Sequence, residues 1–350
     1  MLDWSACVQL WNCYVIGWFM WRDIFRIVKK LAILVVPFFV ILPLYCWAFP
    51  MFYMDDEYAM YKQQRDYCNT PVAEGAKDNE IVILGDSRAK AGFVPELLGE
   101  NTYNLALGGA TPIEGYYSLK EYLANHEKPK TVILAYAPMH YMDVDTLWTR
   151  TVYFHNIKNK DFMEILNTAK LYEKTDKILI DNYKVEYLMY KCYMPNKYAT
   201  ALKNSGFLFR HKKTVAKYED MIINKGHTFY GTEEYSSGVN WEAHEMDFVV
   251  SDIIDLYLRK MIEMCRENGI QVMIEQLPMN ETSYGILQPD FKTHYKEYMM
   301  GLAVAYPDVR VAIKPYCYNN EYFGDADHLN EKGCRVFSQY IATEVLGETQ

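Results

Sequence analysis

The residues best suited to do chemistry stand at the two ends of the chain's second part. One set is Gly85-Asp86-Ser87, and the other is Asp325-Ala326-Asp327-His328-Leu329-Asn330. A serine hydroxyl is a weak nucleophile until a neighbouring base takes its proton. A histidine does this best when a carboxylate fixes its tautomer. The D-x-x-H spacing lets one short loop present both the orienting acid Asp325 and the base His328, in the chain order Ser…Asp…His. Taken singly, each motif has a plainer reading. Gly-Asp-Ser is ordinary turn composition, and Asn330, three residues before Gly333, suits the cap of a last helix. The conjunction of the two motifs predicts an activated serine.

Such residues need a frame. Short apolar runs occur at Glu80–Leu84, Thr102–Leu107, Thr131–Tyr136, Ile270–Glu275 and Val309–Ile313. Helical spacing follows at Ile113–Asn125, at about 247–268 and at Glu331–Val345. Continuous apolar strands alternating with helices predict an α/β fold with a parallel sheet covered on both faces. Active residues gather at the carboxyl ends of such strands, and each candidate stands just past one. Residues 145–245 break the alternation and are expected to be an insertion after the third strand. Helices are expected there at Phe162–Lys170 and Lys177–Lys191. The insertion forms either a cleft wall or lid, or a cap without substrate contact.

The first eighty residues differ in character. Leu31 to Phe49 carries no charge and has the length of a bilayer-spanning helix, kinked at Pro37 and Pro43. Arg22, Arg26, Lys29 and Lys30 precede it, and Asp55, Asp56 and Glu57 follow it. The positive-inside rule puts the N-terminus in the cytoplasm and the body outside. Residues 1–30 are expected to be cytoplasmic or interfacial, 31–50 the anchor, 51–79 a stalk and 80–345 the extracytoplasmic domain. The segment from Met20 also reads as a complete signal anchor, which leaves two candidate starts.

Composition excludes some functions. A formal net charge of -9 argues against nucleic acid, which needs a basic footprint. The eight cysteines form no C-x-x-C pair, and Cys68, Cys192, Cys265, Cys317 and Cys334 are an odd set in the body. The histidines outside the site (126, 155, 211, 227, 244 and 294) lack metal-ligand spacing. Neither a metal nor another cofactor is expected. Tyrosine is abundant, at 31, which suits amphipathic packing or sugar stacking.

Three blocks in order carry a family resemblance. They are Ile83-Leu84-Gly85-Asp86-Ser87, then Asn104-Leu105-Ala106-Leu107-Gly108-Gly109-Ala110-Thr111, then Asp325-x-x-His328-Leu329-Asn330-x-x-Gly333. The chain resembles the SGNH/GDSL hydrolase-like superfamily over residues 80–143 and 245–345, and in its anchor and insertion the DltD-like and alginate-acetylation-like acyltransferase branches. The resemblance implies a flavodoxin-like three-layer α/β/α fold, with Ser87 as nucleophile, His328 as base and Asp325 as orienting acid. It implies oxyanion donors at the backbone N–H groups of Ser87 and of Gly108 or Gly109. It also implies a membrane-bound O-acyltransferase partner and a glycan or teichoic acid acceptor at the cell surface. The family normally supplies an asparagine in the turn after the third strand. Here that turn reads Ala135-Tyr136-Ala137-Pro138-Met139-His140 and has none. His140 is a candidate substitute, and Arg88 a candidate for holding an anionic substrate group. The rival expectations are a non-catalytic binding or assembly module with the same fold, and a secreted esterase.

Overall fold

The computed structural model describes residues 4–72, 77–144, 146–172, 182–192 and 210–347. Residues 177–181 of the expected helix Lys177–Lys191 and the stretch 193–209 of the insertion lie outside the described residues, as do the side chains of most of the first nineteen.

Five strands form one parallel sheet: β1 (Ile81–Gly85), β2 (Thr102–Asn104), β3 (Thr131–Ala135), β4 (Gln271–Ile274) and, after the short strand β5 (Met279–Asn280), β6 (Arg310–Val311). Their order across the sheet is β2-β1-β3-β4-β6. The chain runs outward from β1 to one edge and returns to build the other half from β3, so a crevice opens above the ends of β1 and β3. A two-stranded parallel ladder pairs β5 with β7 (Cys317–Tyr318).

Strand residues alternate between two cores, as a pleated sheet requires. Val82, Leu84, Val132, Leu134, Val272 and Ile274 pack against helices Pro112–Asn125, Asp252–Glu267 and Pro289–Ala305. Ile83, Ile133, Ala135 and Met273 pack against helix Ser87–Gly92 and the last helix, Glu331–Tyr340, with its π-helical extension Ile341–Leu346. The sheet is thus α/β with helices on both faces.

Several expectations need correction. The second strand ends at Asn104, not Leu107. Its backbone still follows β1, since Leu105 and Leu107 donate to the carbonyls of Ile83 and Gly85, but the Asn104 side chain takes the Ala106 N–H at 3.1 Å and ends the ladder. The fifth run narrows to Arg310–Val311, at the opposite edge. The expected stalk is largely a helix, Asp56–Asn69, capped by Asp55 and packed onto the body. Tyr58, Ala59, Met60, Tyr61, Gln63, Gln64 and Cys68 are buried in it. Gln63 donates to Tyr103 Oη and Gln64 to the Leu105 carbonyl, so polar side chains fasten this helix alongside apolar ones.

The N-terminal part is helical from Trp4 to Val36, then forms a π-helical turn at Pro37–Ile41 and a further helix at Leu42–Ala48. Proline lacks the N–H of the helical ladder and crowds the preceding turn, which accounts for the irregularity at Pro37. With the apolar run divided in this way, no helix among the described residues is long and apolar enough to cross a membrane. Leu31, Ile33, Leu34, Ile41, Leu44 and Trp47 are all exposed. Beyond them Cys46, Tyr53 and Met54 pack with Leu107, Ala110 and Phe154 of the body.

Candidate active site

β1 ends at Gly85, where a Cβ would collide with the Ala135 carbonyl, so only glycine lets β1 and β3 approach this closely. Asp86 follows and caps helix Ser87–Gly92. Its Oδ1 accepts from the N–H groups of Arg88 and Ala89 at 2.8 and 3.2 Å. Its Oδ2 accepts from Ala137 N–H at 2.6 Å. The buried Asp86 thus welds the serine turn to the turn after β3, and fixes Ser87 at the first position of the helix. Asn104, also buried, donates to the carbonyls of Ala89 and Phe93 at 3.0 and 3.1 Å and ties the same short helix from below.

The other half of the site is the loop before the last helix. Asn330 caps that helix by accepting from Gly333 N–H at 3.0 Å, as its position in the sequence suggests. Ahead of it Asp325 Oδ1 accepts from the N–H groups of Asp327 and His328 at 2.8 and 2.7 Å. The tight turn so formed brings Asp325 Oδ2 to 2.8 Å from His328 Nδ1. His328 Nε2 lies 2.8 Å from Ser87 Oγ. The chain serine–imidazole–carboxylate is complete across 241 positions of sequence. Burial alone would raise the Asp325 carboxyl, but the hydrogen bond and charge of His328 together with the N–H groups of Asp327 and His328 outweigh burial and hold it below its ordinary value. An ionised Asp325 keeps the Nδ1–H tautomer in place and leaves Nε2 free to accept the serine proton.

Arg88, a candidate substrate ligand, is instead committed within the protein. Its Nη2 reaches Glu242 Oε2 at 2.7 Å and Asp327 Oδ1 at 2.5 Å. Arg88 therefore clamps the serine helix to the histidine loop and to the insertion, at the cleft floor. The turn after β3 offers no side-chain donor at Ala137. His140 is buried with Nε2 3.5 Å from Asp86 Oδ2; it lines the cleft as a packed histidine beside a carboxylate.

Of the two expected oxyanion glycines, Gly109 lines the cleft with Ser87 and His328. Its φ of +66° is a conformation that favours glycine. Gly108 lies behind, its carbonyl accepting from Tyr61 Oη at 2.8 Å, and a Cβ there would meet Tyr230 Oη and Glu57. The cleft has a volume of about 560 Å³.

The far wall contains residues that motif reading did not single out. Helix Asp56–Asn69 delivers Glu57, and the π-helical turn Leu147–Val152 of the insertion delivers Arg150. Arg150 Nε donates to Glu57 Oε2 in a short ion pair. Burial raises the Glu57 carboxyl despite this partner. Burial would lower the Arg150 guanidinium, yet Glu57 holds it above its ordinary value. Tyr230 stacks on the His328 ring at 4.7 Å between centroids. The insertion thus supplies a cleft wall through Thr146, Thr149, Arg150, Tyr153 and Tyr230. Nothing in the spacing of these residues announces them; the one available signal was the Asp55 cap with the acidic first turn of its helix.

Among the described residues no cluster of His, Cys, Asp or Glu is arranged to hold a metal ion. The thiols of Cys46, Cys68, Cys192, Cys265, Cys317 and Cys334 are free. A separate small cavity, about 80 Å³, lies between Gln64, Tyr117 and His155, away from Ser87. Comparison with known proteins found no matching family model, curated protein or solved structure.

Proposed function

We propose that this chain is a membrane-anchored serine acyltransferase or esterase of SGNH hydrolase-like type, with its catalytic body outside the cell membrane. The single observation that carries the reading is the pair of 2.8 Å contacts joining Ser87 Oγ to His328 Nε2 and His328 Nδ1 to Asp325. A structural histidine has no need of a serine hydroxyl on one nitrogen and a carboxylate on the other at the mouth of a cleft. The sheet order β2-β1-β3-β4-β6 supports the flavodoxin-like reading, since counting only the five strands of this sheet in chain order gives 2-1-3-4-5.

In the first half-reaction Ser87 Oγ attacks the acyl carbonyl carbon while His328 Nε2 takes the hydroxyl proton. The carbonyl electron pair moves onto oxygen, facing the N–H groups of Ser87 and Gly109. Collapse expels the donor's alkoxide, which takes the proton back from His328, and leaves an acyl ester on Ser87. In the second half an acceptor hydroxyl gives its proton to His328 and attacks that ester; collapse breaks the bond from the acyl carbon to Ser87 Oγ, which takes the proton back from His328 Nε2 and restores the free serine. The acceptor class we assign is a sugar or polyol hydroxyl of a cell-surface glycan or teichoic acid. The donor is handed over at the membrane, with a membrane-bound O-acyltransferase as partner. Support for the membrane placement is the helical run from Leu31 to Trp47, whose described apolar side chains are mostly exposed. Exposed apolar surface of this extent calls for lipid or a protein partner.

A fluorophosphonate probe tests the reading on the full-length chain in detergent. Wild type is expected to label at Ser87, and His328→Ala to lose labelling with its thermal unfolding unchanged. Undiminished labelling of a well-folded His328→Ala, or none of the wild type, leaves the alternative: a module of this fold that binds polymer or partner without catalysis. Acylation of surface polymer in cells carrying Ser87→Ala then separates enzyme from scaffold.

A further inference from the structure

We infer that Arg150 is a side-chain donor to the developing oxyanion, standing in for the asparagine that the turn after β3 lacks. The inference rests on the proposed acyl-transfer reading and adds a catalytic residue to it. A Cβ built on Gly109 would collide with Arg150 Nη1 and lie 3.1 Å from Arg150 Cζ. The guanidinium therefore fills the space directly beside the residue whose N–H is expected to face the oxyanion. Arg150, Gly109, Ser87 and His328 all line the same cleft.

The side chain is also held as a preorganised donor must be. Glu57 takes its Nε–H, and among the described residues no group accepts from Nη1 or Nη2. An arginine fork pinned at Nε presents its remaining N–H groups in a fixed plane. The backbone beneath is anchored as well. Thr151 Oγ1 donates to Glu114 Oε1 at 2.9 Å, and Glu114 is the capping-box residue of helix Pro112–Asn125, which begins just after Gly109. Leu147, Trp148 and Val152 are buried in the main core. The side chain remains partly exposed, at 28 %, toward the cleft that a substrate would fill. Glu57 is the positioning residue: it neutralises part of the charge at rest and leaves donors where negative charge appears in the transition state.

The test is steady-state hydrolysis of a neutral p-nitrophenyl ester by the full-length chain, with the rate of fluorophosphonate inactivation as a second readout. Arg150→Ala is expected to lower kcat and the inactivation rate by about 10²–10³-fold, with KM within about threefold, because an oxyanion donor acts in the transition state alone. Guanidinium ion added at millimolar concentration is expected to restore part of that loss, and an equal concentration of sodium chloride none. Arg150→Lys keeps the charge but not the fork, and is expected to fall between the two; it serves if Arg150→Ala does not fold. Wild-type kcat in Arg150→Ala or Arg150→Lys, or a loss confined to KM, overturns the inference. If Ser87→Ala and His328→Ala are dead while the Arg150 variants are unimpaired, only the role of Arg150 falls. Full esterase activity in Ser87→Ala instead removes the acyl-enzyme reading itself.

Discussion

The two walls of the cleft are built in different ways. The Ser87–His328 wall comes from two short loops at strand and helix ends, each rigid through its own backbone hydrogen bonds: Asp86 accepts from Arg88, Ala89 and Ala137, and Asp325 from Asp327 and His328. The opposite wall, with Glu57, Arg150 and Tyr230, is assembled from helix Asp56–Asn69 and the insertion, which meet through packing and through side-chain contacts such as the Glu57–Arg150 ion pair. The first wall brings a hydroxyl, an imidazole and a carboxylate within hydrogen-bonding reach. The second places charge and a flat ring around them. The sheet thus holds its side chains through short loops fixed by local hydrogen bonds, and the added elements hold theirs through contacts between distant segments.

Four perturbations sharpen or break this division, in decreasing order of effect. Ser87→Ala and His328→Ala should each lower kcat by roughly 10⁴–10⁶-fold, and the double variant should be no slower than either, because the pair acts as a unit. Additive losses in ester turnover would show that the two do not share one proton transfer. Asp325→Asn should cost about 10⁴-fold by favouring the wrong tautomer of His328. It should also weaken acid sensitivity. Asp325 has its carboxyl held below the ordinary value, so its stabilisation is present above that value and is lost as pH falls through the depressed one. Denaturation midpoints of the two proteins should therefore converge toward acid pH.

On the second wall, Tyr230→Ala should lower kcat by up to about tenfold through loss of the ring stacked on His328, and Tyr230→Phe should stay near wild type. An equal loss in both would move the role from the ring to the hydroxyl, which contacts Met60 Sδ at 3.0 Å. The smallest effect concerns the helix that carries Ser87. Lys90 is fully buried and donates to the Ala106 carbonyl at 2.9 Å. Burial lowers its ammonium to about 7. The unfolded chain then binds more protons than the folded one between about pH 7 and 10.5, and stability rises with pH across that window. Lys90→Met should flatten that rise in urea denaturation, with ester turnover little changed.

Much of the first wall was legible. Strands β1, β3 and β4 sit where the apolar runs put them, because central strands buried on both faces must be continuously apolar. The Asn330 cap and the D-x-x-H turn were legible too, since a cap and a turn are settled within a few residues. The edges of the sheet were not. β2 stops early because Asn104 diverts the Ala106 N–H, and that side chain was free in the sequence to bond in several ways. Helix Asp56–Asn69 escaped because Gln63 and Gln64 are buried through hydrogen bonds to Tyr103 and Leu105, which no hydrophobic period reveals. Arg88 suited an ion pair that fastens the turn better than a substrate ligand, but its partners Glu242 and Asp327 lie far along the chain and were not legible.

By itself the sequence determined which residues are able to exchange a proton and which segments must lie in a buried sheet. Residue type fixes the chemistry of a hydroxyl or an imidazole, and side-chain period fixes which face is hidden. The tertiary structure alone decided that Ser87 and His328 are 2.8 Å apart and that Glu57 turns Arg150 toward Gly109. Such distances follow from how separate elements pack, and packing is set by the summed contacts of the whole chain.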